Sequence, residues 1–251
     1  MNSILVTLVV CYALFALTFC SLQRQFLYFP QLASDVYGEM NTSFVVDGVQ
    51  LFGWVLNEGQ PKALIYYGGN AESIEANIPF FNAVIPDYTI YLIPYRGYGN
   101  NAGTPTEKVL YSDAVQIFQS VKSKHDSISL MGRSLGSGIA TYVAANRQVD
   151  KLILVTPFDS IENVAKDIYW MFPVSWMIKD RYRSSDRAKD ITAHTYIFIA
   201  EEDRVIPRAR TDQLIAEFGD KLVEVVVITG AGHNTISQFP AYISGLKRVL
   251  D

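Results

Sequence analysis

The chain has 251 residues, 49% of them apolar, a length and core content suited to one globular domain. A net charge of −4 leaves no basic footprint for nucleic acid, and no nucleic-acid partner is expected. Both cysteines, Cys11 and Cys20, lie in the first apolar stretch, so the remaining chain holds no thiol for a disulfide, a cysteine nucleophile or a zinc site, and neither a metal nor a cofactor is expected.

From Asn2 to Gln23 the sequence carries no charged side chain. A spanning helix needs roughly 20 apolar residues, so residues 1–23 are expected to form a membrane anchor, leaving 24–251 as the main domain. A cleaved signal peptide would show a basic residue before the apolar run and small residues at the cut. Here the leading residues are Met-Asn-Ser, and no good small-x-small site precedes Gln23. If the segment were cleaved, the protein would be exported; lipid attachment at Cys20 is a third reading, poorly served by bulky Phe19. Arg24, the nearby basic residue, hints weakly at a cytoplasmic downstream side. The aromatic collar Phe26-Leu27-Tyr28-Phe29-Pro30 fits either the membrane interface or packing on the domain.

Beyond Thr42 strand and helix patterns alternate. Ser43–Val46 and Leu51–Leu56, joined through Asp47-Gly48, read as a hairpin. Ala63–Tyr67 is a buried-type strand ending at Gly68-Gly69-Asn70, and Ser73–Val84 reads as helical. Tyr88–Ile93 is the next strand. Thr104-Pro105-Thr106-Glu107 has the form of a capping box with Thr104 as N-cap, opening a helix that turns Val109, Ala114, Val115 and Phe118 inward. Strands at Lys151–Val155, Tyr196–Ala200 and Leu222–Ile228 follow, with helices at Arg208–Phe218 and from about Ser237. Apolar strands alternating with helices argue for a mostly parallel sheet covered on both faces.

The sequence is organised around Ser129-Leu130-Met131-Gly132-Arg133-Ser134-Leu135-Gly136-Ser137-Gly138, a G-x-S-x-G motif between an apolar strand and a helical pattern through Ala145. In that context the serine sits on a tight turn at a helix N-terminus, exposed for nucleophilic attack. A serine hydroxyl needs a base to take its proton and an acid to orient that base. Of three histidines, His125 precedes the elbow strand and is expected to face solvent, and His194 stands at a strand entrance. His233 follows Leu222–Ile228 in a glycine-rich loop beyond a strand end, where open α/β sheets build their sites. It is the candidate base. The acid is sought in Glu201-Glu202-Asp203, directly beyond Tyr196–Ala200, and spacing alone does not choose among the three; Asp159 reads better as a helix cap. For a developing oxyanion the donors expected are the backbone N–H of Leu135 and of Asn70.

These motifs in this order resemble the α/β-hydrolase superfamily, and within it the BEM46-like branch with its ABHD13-like and ABHD17-like relatives. The likeness rests on Phe26–Pro30, Gly69-Asn70-Ala71, Tyr95-Arg96-Gly97-Tyr98-Gly99, Gly132–Gly136, Asp203-Arg204-Val205-Ile206-Pro207 and Gly232-His233, spread over almost the whole chain. It implies an α/β-hydrolase fold with Ser134, Asp203 and His233 as triad, and it selects Asp203 because the family's acid precedes x-Val-x-Pro. An N-terminal membrane anchor is also common among such relatives. The reading that follows from triad, anchor and the apolar 168–178 stretch is a membrane-tethered hydrolase of an ester or thioester with a hydrophobic acyl group. Two positions depart from the family pattern: Gly68 stands where a histidine is usual, and Ala200 where a glycine is usual. The interval Pro157–Arg187, rich in Trp and Phe, lies where this fold inserts a lid. Within it Lys179–Arg183 reads as a solvated face, and Tyr95–Gly99 as a turn whose Arg96 pairs with a carboxylate. A serine aminopeptidase, or a non-catalytic binding protein on the same fold, are the alternatives.

Overall fold

The computed structural model of the chain describes residues 3–251, so Met1 and Asn2 of the apolar segment lie outside the described residues. Helix α1 runs Ser3–Leu27, continuous across residue 23. The strands are β1 (Thr42–Val46), β2 (Val49–Leu56), β3 (Lys62–Tyr67), β4 (Tyr88–Leu92), β5 (Ser127–Arg133), β6 (Lys151–Val155), β7 (His194–Ala200) and β8 (Leu222–Ile228). Between and after them come α2 (Ile78–Val84), α3 (Glu107–Lys122), α4 (Leu135–Asn146), α5 (Ile161–Ile168), α6 (Val174–Met177), α7 (Ser185–Ala188), α8 (Arg208–Glu217) and α9 (Pro240–Leu250).

The strands form one sheet in the order β1-β2-β4-β3-β5-β6-β7-β8. β1 and β2 make the expected antiparallel hairpin, with Asp47 and Gly48 both at positive φ in its turn, and β2 pairs antiparallel with β4. From β4 to β8 every pairing is parallel. Side-chain alternation along β3 shows why both faces need cover: Ala63, Ile65 and Tyr67 join one apolar layer, Leu64 and Tyr66 the other. Leu110, Phe118, Ile139 and Val143 from α3 and α4 fill the first layer; Phe81, Tyr242 and Leu246 from α2 and α9 fill the second.

Several elements depart from the sequence pattern for identifiable reasons. The cap of α3 is Thr106, whose extended backbone lets its hydroxyl accept from Val109 N at 3.2 Å. Thr104 and Pro105 stay outside the helix, and Glu107 turns away to accept from the Arg181 and Tyr182 N–H groups at 2.6 and 3.0 Å. A capping box was expected because nothing local shows that another segment needs that carboxylate. The inward positions of α3 are Leu110, Ala114, Ile117 and Phe118, while Val109 and Val115 are half-buried. The stretch after Ser73 opens as a 3-10 turn, Ile74–Asn77, before α2. The final helix starts at Pro240, a residue suited to the first helical position.

Arg96 does pair with a carboxylate: its guanidinium grips Asp113 of α3 bidentately, with contacts of 2.8–3.0 Å, and donates to the Val46 carbonyl. Both partners are buried, so the pair ties the Tyr95–Gly99 loop to α3 and to the hairpin at once. Removing one member strands the other charge in the core. Asp113→Ala should therefore lower stability by about 3–5 kcal/mol, read as a fall in urea midpoint at unchanged m-value; a shift within the range of a surface substitution would show the pair to be solvated.

Candidate active site

The site forms where β3, β5, β6, β7 and β8 end together. Ser134 follows β5 directly and adopts φ 50°, ψ −118°, a conformation rarely taken by a side-chain-bearing residue. Its N–H donates to Val155 O at 2.9 Å, tying the turn to the end of β6. The strain is held by close backbone packing on both sides. A Cβ on Gly132 would collide with the Gly136 carbonyl, and one on Gly136 with the carbonyl of Tyr67 at the end of β3. Glycine at both positions lets the first turn of α4 sit against β3.

His233 lies in the loop beyond β8, with 8% of its surface exposed. Its Nε2 is 3.0 Å from Ser134 Oγ, and its Nδ1 is 2.7 Å from Asp203 Oδ2. With Nδ1–H donating to the carboxylate, Nε2 is left as acceptor for the serine hydroxyl. The other Asp203 oxygen accepts from the N–H groups of Val205 and Ile206 at 2.8 and 2.9 Å, which orients the carboxylate toward the ring. Geometry thus separates the three acids. Glu201 holds the histidine loop through Gly230 N at 2.9 Å, and Glu202 is exposed. Asp159 is buried and accepts from Ser160 N, Asn163 Nδ2 and Arg210 Nη1, away from His233; the cap of α5 is Ser160. His194 is exposed at the start of β7. His125 does not face open solvent: its ring bridges Tyr91 OH at 2.8 Å and the Gln60 carbonyl at 2.9 Å.

Leu135 and Asn70 line one cavity with Ser134. Leu135 opens α4, so its N–H has no intrahelical acceptor. Among the described residues, the Asn70 N–H likewise has no partner. The loop carrying Asn70 is braced by Glu72, which sequence reasoning did not single out, and by Tyr95 and Tyr98 of the Tyr95–Gly99 turn, to which it gave no such role. Glu72 accepts from Gly69 N, Tyr66 OH and Asn77 Nδ2, all at 2.6–2.7 Å, and faces Arg133 at 3.8 Å. Tyr95 OH donates to Gly68 O and Tyr98 OH to Asn70 O, each at 2.7 Å. Arg133, the variable residue before the serine, donates to the His233 carbonyl at 3.2 Å. For Glu72 the available hint was its spacing three residues after Gly69; the tyrosine contacts cross about 27 residues, so the Tyr95–Gly99 motif by itself does not say what it touches.

The cavity, about 240 Å³, is walled mainly by apolar side chains: Phe19, Phe26 and Leu27 of α1, Ile161, Val164 and Ile168 of α5, and Val205 and Ile206 after β7. The 157–187 interval supplies much of it, as α5, α6 and connecting turns. Lys179–Arg183 is a solvated face only in part: Lys179 is exposed and Arg181 and Arg183 are half-exposed, but Asp180 and Tyr182 turn inward. Tyr182 is fully buried with its hydroxyl 2.8 Å from that of Tyr28, and buried Asp180 binds Arg24 at 2.7 Å. Glu162 anchors this cap. Burial works to raise its carboxyl, but hydrogen bonds from Arg183, Lys166 and Ser175 outweigh burial and hold it at about 2, below the ordinary 4.5. A depressed carboxyl stabilises the fold above the unfolded value and loses that effect as pH falls through the folded one. The gap in urea midpoint between wild type and Glu162→Gln should be full at neutral pH and shrink as pH is lowered from 4.5 toward 2; a gap independent of pH would show that the Arg183 contact carries no stabilising charge.

No protein-family model matches the sequence. The chain is 30% identical over 230 residues to an uncharacterised protein of Mycobacterium tuberculosis, an alignment covering 85% of this chain and 81% of that one. It is 34% identical over 140 residues to the lysophosphatidylserine lipase ABHD12 of Bos taurus, covering 48% of this chain and 35% of the lipase. Among solved structures, an esterase of Pyrococcus furiosus superposes with a TM-score of 0.72 at 18% identity, covering 89% of this chain and 98% of the esterase. A meta-cleavage product hydrolase of Pseudomonas fluorescens superposes at 0.63 and 19% identity, over 84% of this chain and 97% of that one. The fold is that of an α/β hydrolase, and the chain belongs to the α/β-hydrolase superfamily. It shares a family with the mycobacterial protein.

Proposed function

We propose that the protein is a membrane-tethered serine hydrolase of the BEM46-like type that cleaves an ester or thioester carrying a hydrophobic acyl group. The observation that carries this reading is the continuous chain Ser134–His233–Asp203, at 3.0 and 2.7 Å, opening onto an apolar cavity. Ester hydrolysis is supported more coarsely by the esterase and lipase among the similar proteins, the bovine one named for a lysophospholipid.

Ser134 Oγ attacks the acyl carbonyl carbon while His233 Nε2 takes its proton, and Asp203 stabilises the resulting imidazolium. The carbonyl electron pair moves onto oxygen, where the Leu135 and Asn70 N–H groups receive it. Collapse of the tetrahedral intermediate breaks the bond to the alcohol or thiol, which leaves with the proton from His233. Water, deprotonated by the same nitrogen, then attacks the acyl-enzyme and frees the acid. Residues 1–23 serve as the membrane anchor and 24–251 as the hydrolase domain, since α1 has the length and composition to cross a bilayer. A peptidase would need a free carboxylate for the substrate amine. Among the described residues the carboxylate lining the cavity is Asp180, and Arg24 already neutralises it.

Ser134→Ala should abolish both fluorophosphonate labelling and turnover of a short-chain ester while keeping the fold. Asp203→Asn should cost about four orders of magnitude in kcat, and Glu202→Gln little; retained turnover in the alanine variant, or a severe Glu202 effect, would overturn the assignment. Tyr98→Phe removes the hydroxyl that holds the Asn70 carbonyl. A lost hydrogen bond of about 1–1.5 kcal/mol should lower kcat roughly tenfold with KM nearly unchanged, because the donor matters most once the oxyanion forms.

A further inference from the structure

Helix α1 does not stand apart from the domain. The residues Tyr12, Phe15, Phe19, Gln23 and Leu27 recur every three or four positions and form one stripe along it. Along this stripe Phe172 of the cap stacks on Tyr12 and Phe15, at centroid distances of 5.2 and 5.4 Å, and Tyr169 meets Phe19 at 4.7 Å. Tyr12 OH donates to Met171 O, Gln23 Nε2 donates to Met177 O, and Gln23 Oε1 accepts from Lys179 N. Docking therefore reaches from Leu27 to Tyr12, about 22 Å along the axis at 1.5 Å per residue. Among the described residues about 14 Å of helix, Ser3 to Tyr12, projects beyond the cap. A bilayer's hydrocarbon layer is about 30 Å thick. For α1 to span it while docked, the docked half must enter the hydrocarbon too, down to about Gln23, and the cap tip beside it must follow.

The surface of the cap fits that demand. Trp170 is 78% exposed, Trp176 90%, and Met171 and Ile168 are also exposed, an apolar load without cover from any described residue. These side chains continue the exposed apolar surface of α1 and adjoin the rim of the cavity, where Phe26, Ile168 and Val205 are each half or more exposed. The two tryptophans differ in height. Trp170 precedes Met171, held at the level of Tyr12; Trp176 precedes Met177, held at Gln23, about 16 Å nearer the domain. That lower level, with Arg24 and Lys179 beside it, suits the headgroup zone.

We propose that the cap tip, Ile168–Phe172, is immersed with α1 in a phospholipid leaflet, and that the acyl cavity loads sideways from the bilayer through the rim between α1 and α5. The inference rests on the anchoring part of the proposed function and adds a partner surface and an entry route. It is tested on the full chain in phosphatidylcholine vesicles brominated at a shallow or a deep acyl position. The chain has three tryptophans, and the third, Trp54, is buried in the core. Trp176→Phe leaves Trp170 as the exposed emitter, and Trp170→Phe leaves Trp176. The deep bromines should quench Trp170 at least twofold and the shallow ones should act best on Trp176. In parallel, Trp170→Glu combined with Met171→Glu should lower hydrolysis of a vesicle-borne long-chain ester about tenfold or more, the size expected when charge must enter hydrocarbon. The same variant should hydrolyse a short soluble ester at the wild-type rate, since neither residue lines the cavity. Vesicle-bound protein in which Trp170 is not quenched overturns the proposal and leaves the tip to water or to a protein partner, as does an unchanged vesicle rate in the glutamate variant. If wild type hydrolyses no ester at all, the hydrolase reading fails instead, while quenching still reports the seating of the cap.

Discussion

The structure depends on the close approach of the α4 N-terminus to the ends of β3 and β5. Gly132 and Gly136 remove the two Cβ atoms that would hold the helix away, and Ser134 is left at a positive φ between them. That geometry lifts the serine out of the sheet and brings the Leu135 N–H and the loop after β3 to the same point. Neither a looser turn nor a helix one residue out of register would keep Ser134 Oγ 3.0 Å from His233 Nε2, because the histidine loop is independently held by Glu201 and Arg133. Strain at one residue is stable here because the backbone on every side over-determines it.

Around this point the molecule uses buried polar contacts to set loop shape. Glu72, Tyr95 and Tyr98 hold the Gly68–Asn70 loop from opposite sides, and Arg96 with Asp113 fixes the segment carrying both tyrosines. Gly68, at the position where the resemblance leads one to expect a histidine, thus does not leave the loop slack: its carbonyl is gripped by Tyr95 OH. Each contact takes a polar group out of water and satisfies it, the condition under which such networks rigidify a site.

The cap shows a division between charge and apolar surface. Its inner side is latched by Glu162 to Arg183 and Lys166, by Glu107 to the 181–182 backbone and by Asp180 to Arg24. Its outer side is aromatic and shares its rings with α1. One helix therefore supplies both the apolar segment of anchor composition and a wall of the cavity beside Ser134.

The sequence by itself determined the strands of the sheet and the elbow, and it singled out Ser134 and His233. Strand and helix patterns are local, and a glycine-flanked serine between them has few other physical uses. Asp203 could be chosen over its neighbours only by family likeness; the structure separates them because a carboxylate's partner lies thirty residues away in the chain. The same reason explains the other gaps. Glu107 was assigned to its own helix, Lys179–Arg183 to solvent and His125 to an open loop, since charge and polarity read locally as exposure. Glu107, Asp180, Tyr182 and His125 have distant partners instead, while Lys179 stays exposed as its sequence suggests. That α1 docks on the cap, and that Tyr95 and Tyr98 reach the loop around Asn70, was decided by the tertiary structure alone. Such contacts depend on where elements far apart in sequence come to lie, and periodicity carries no record of that.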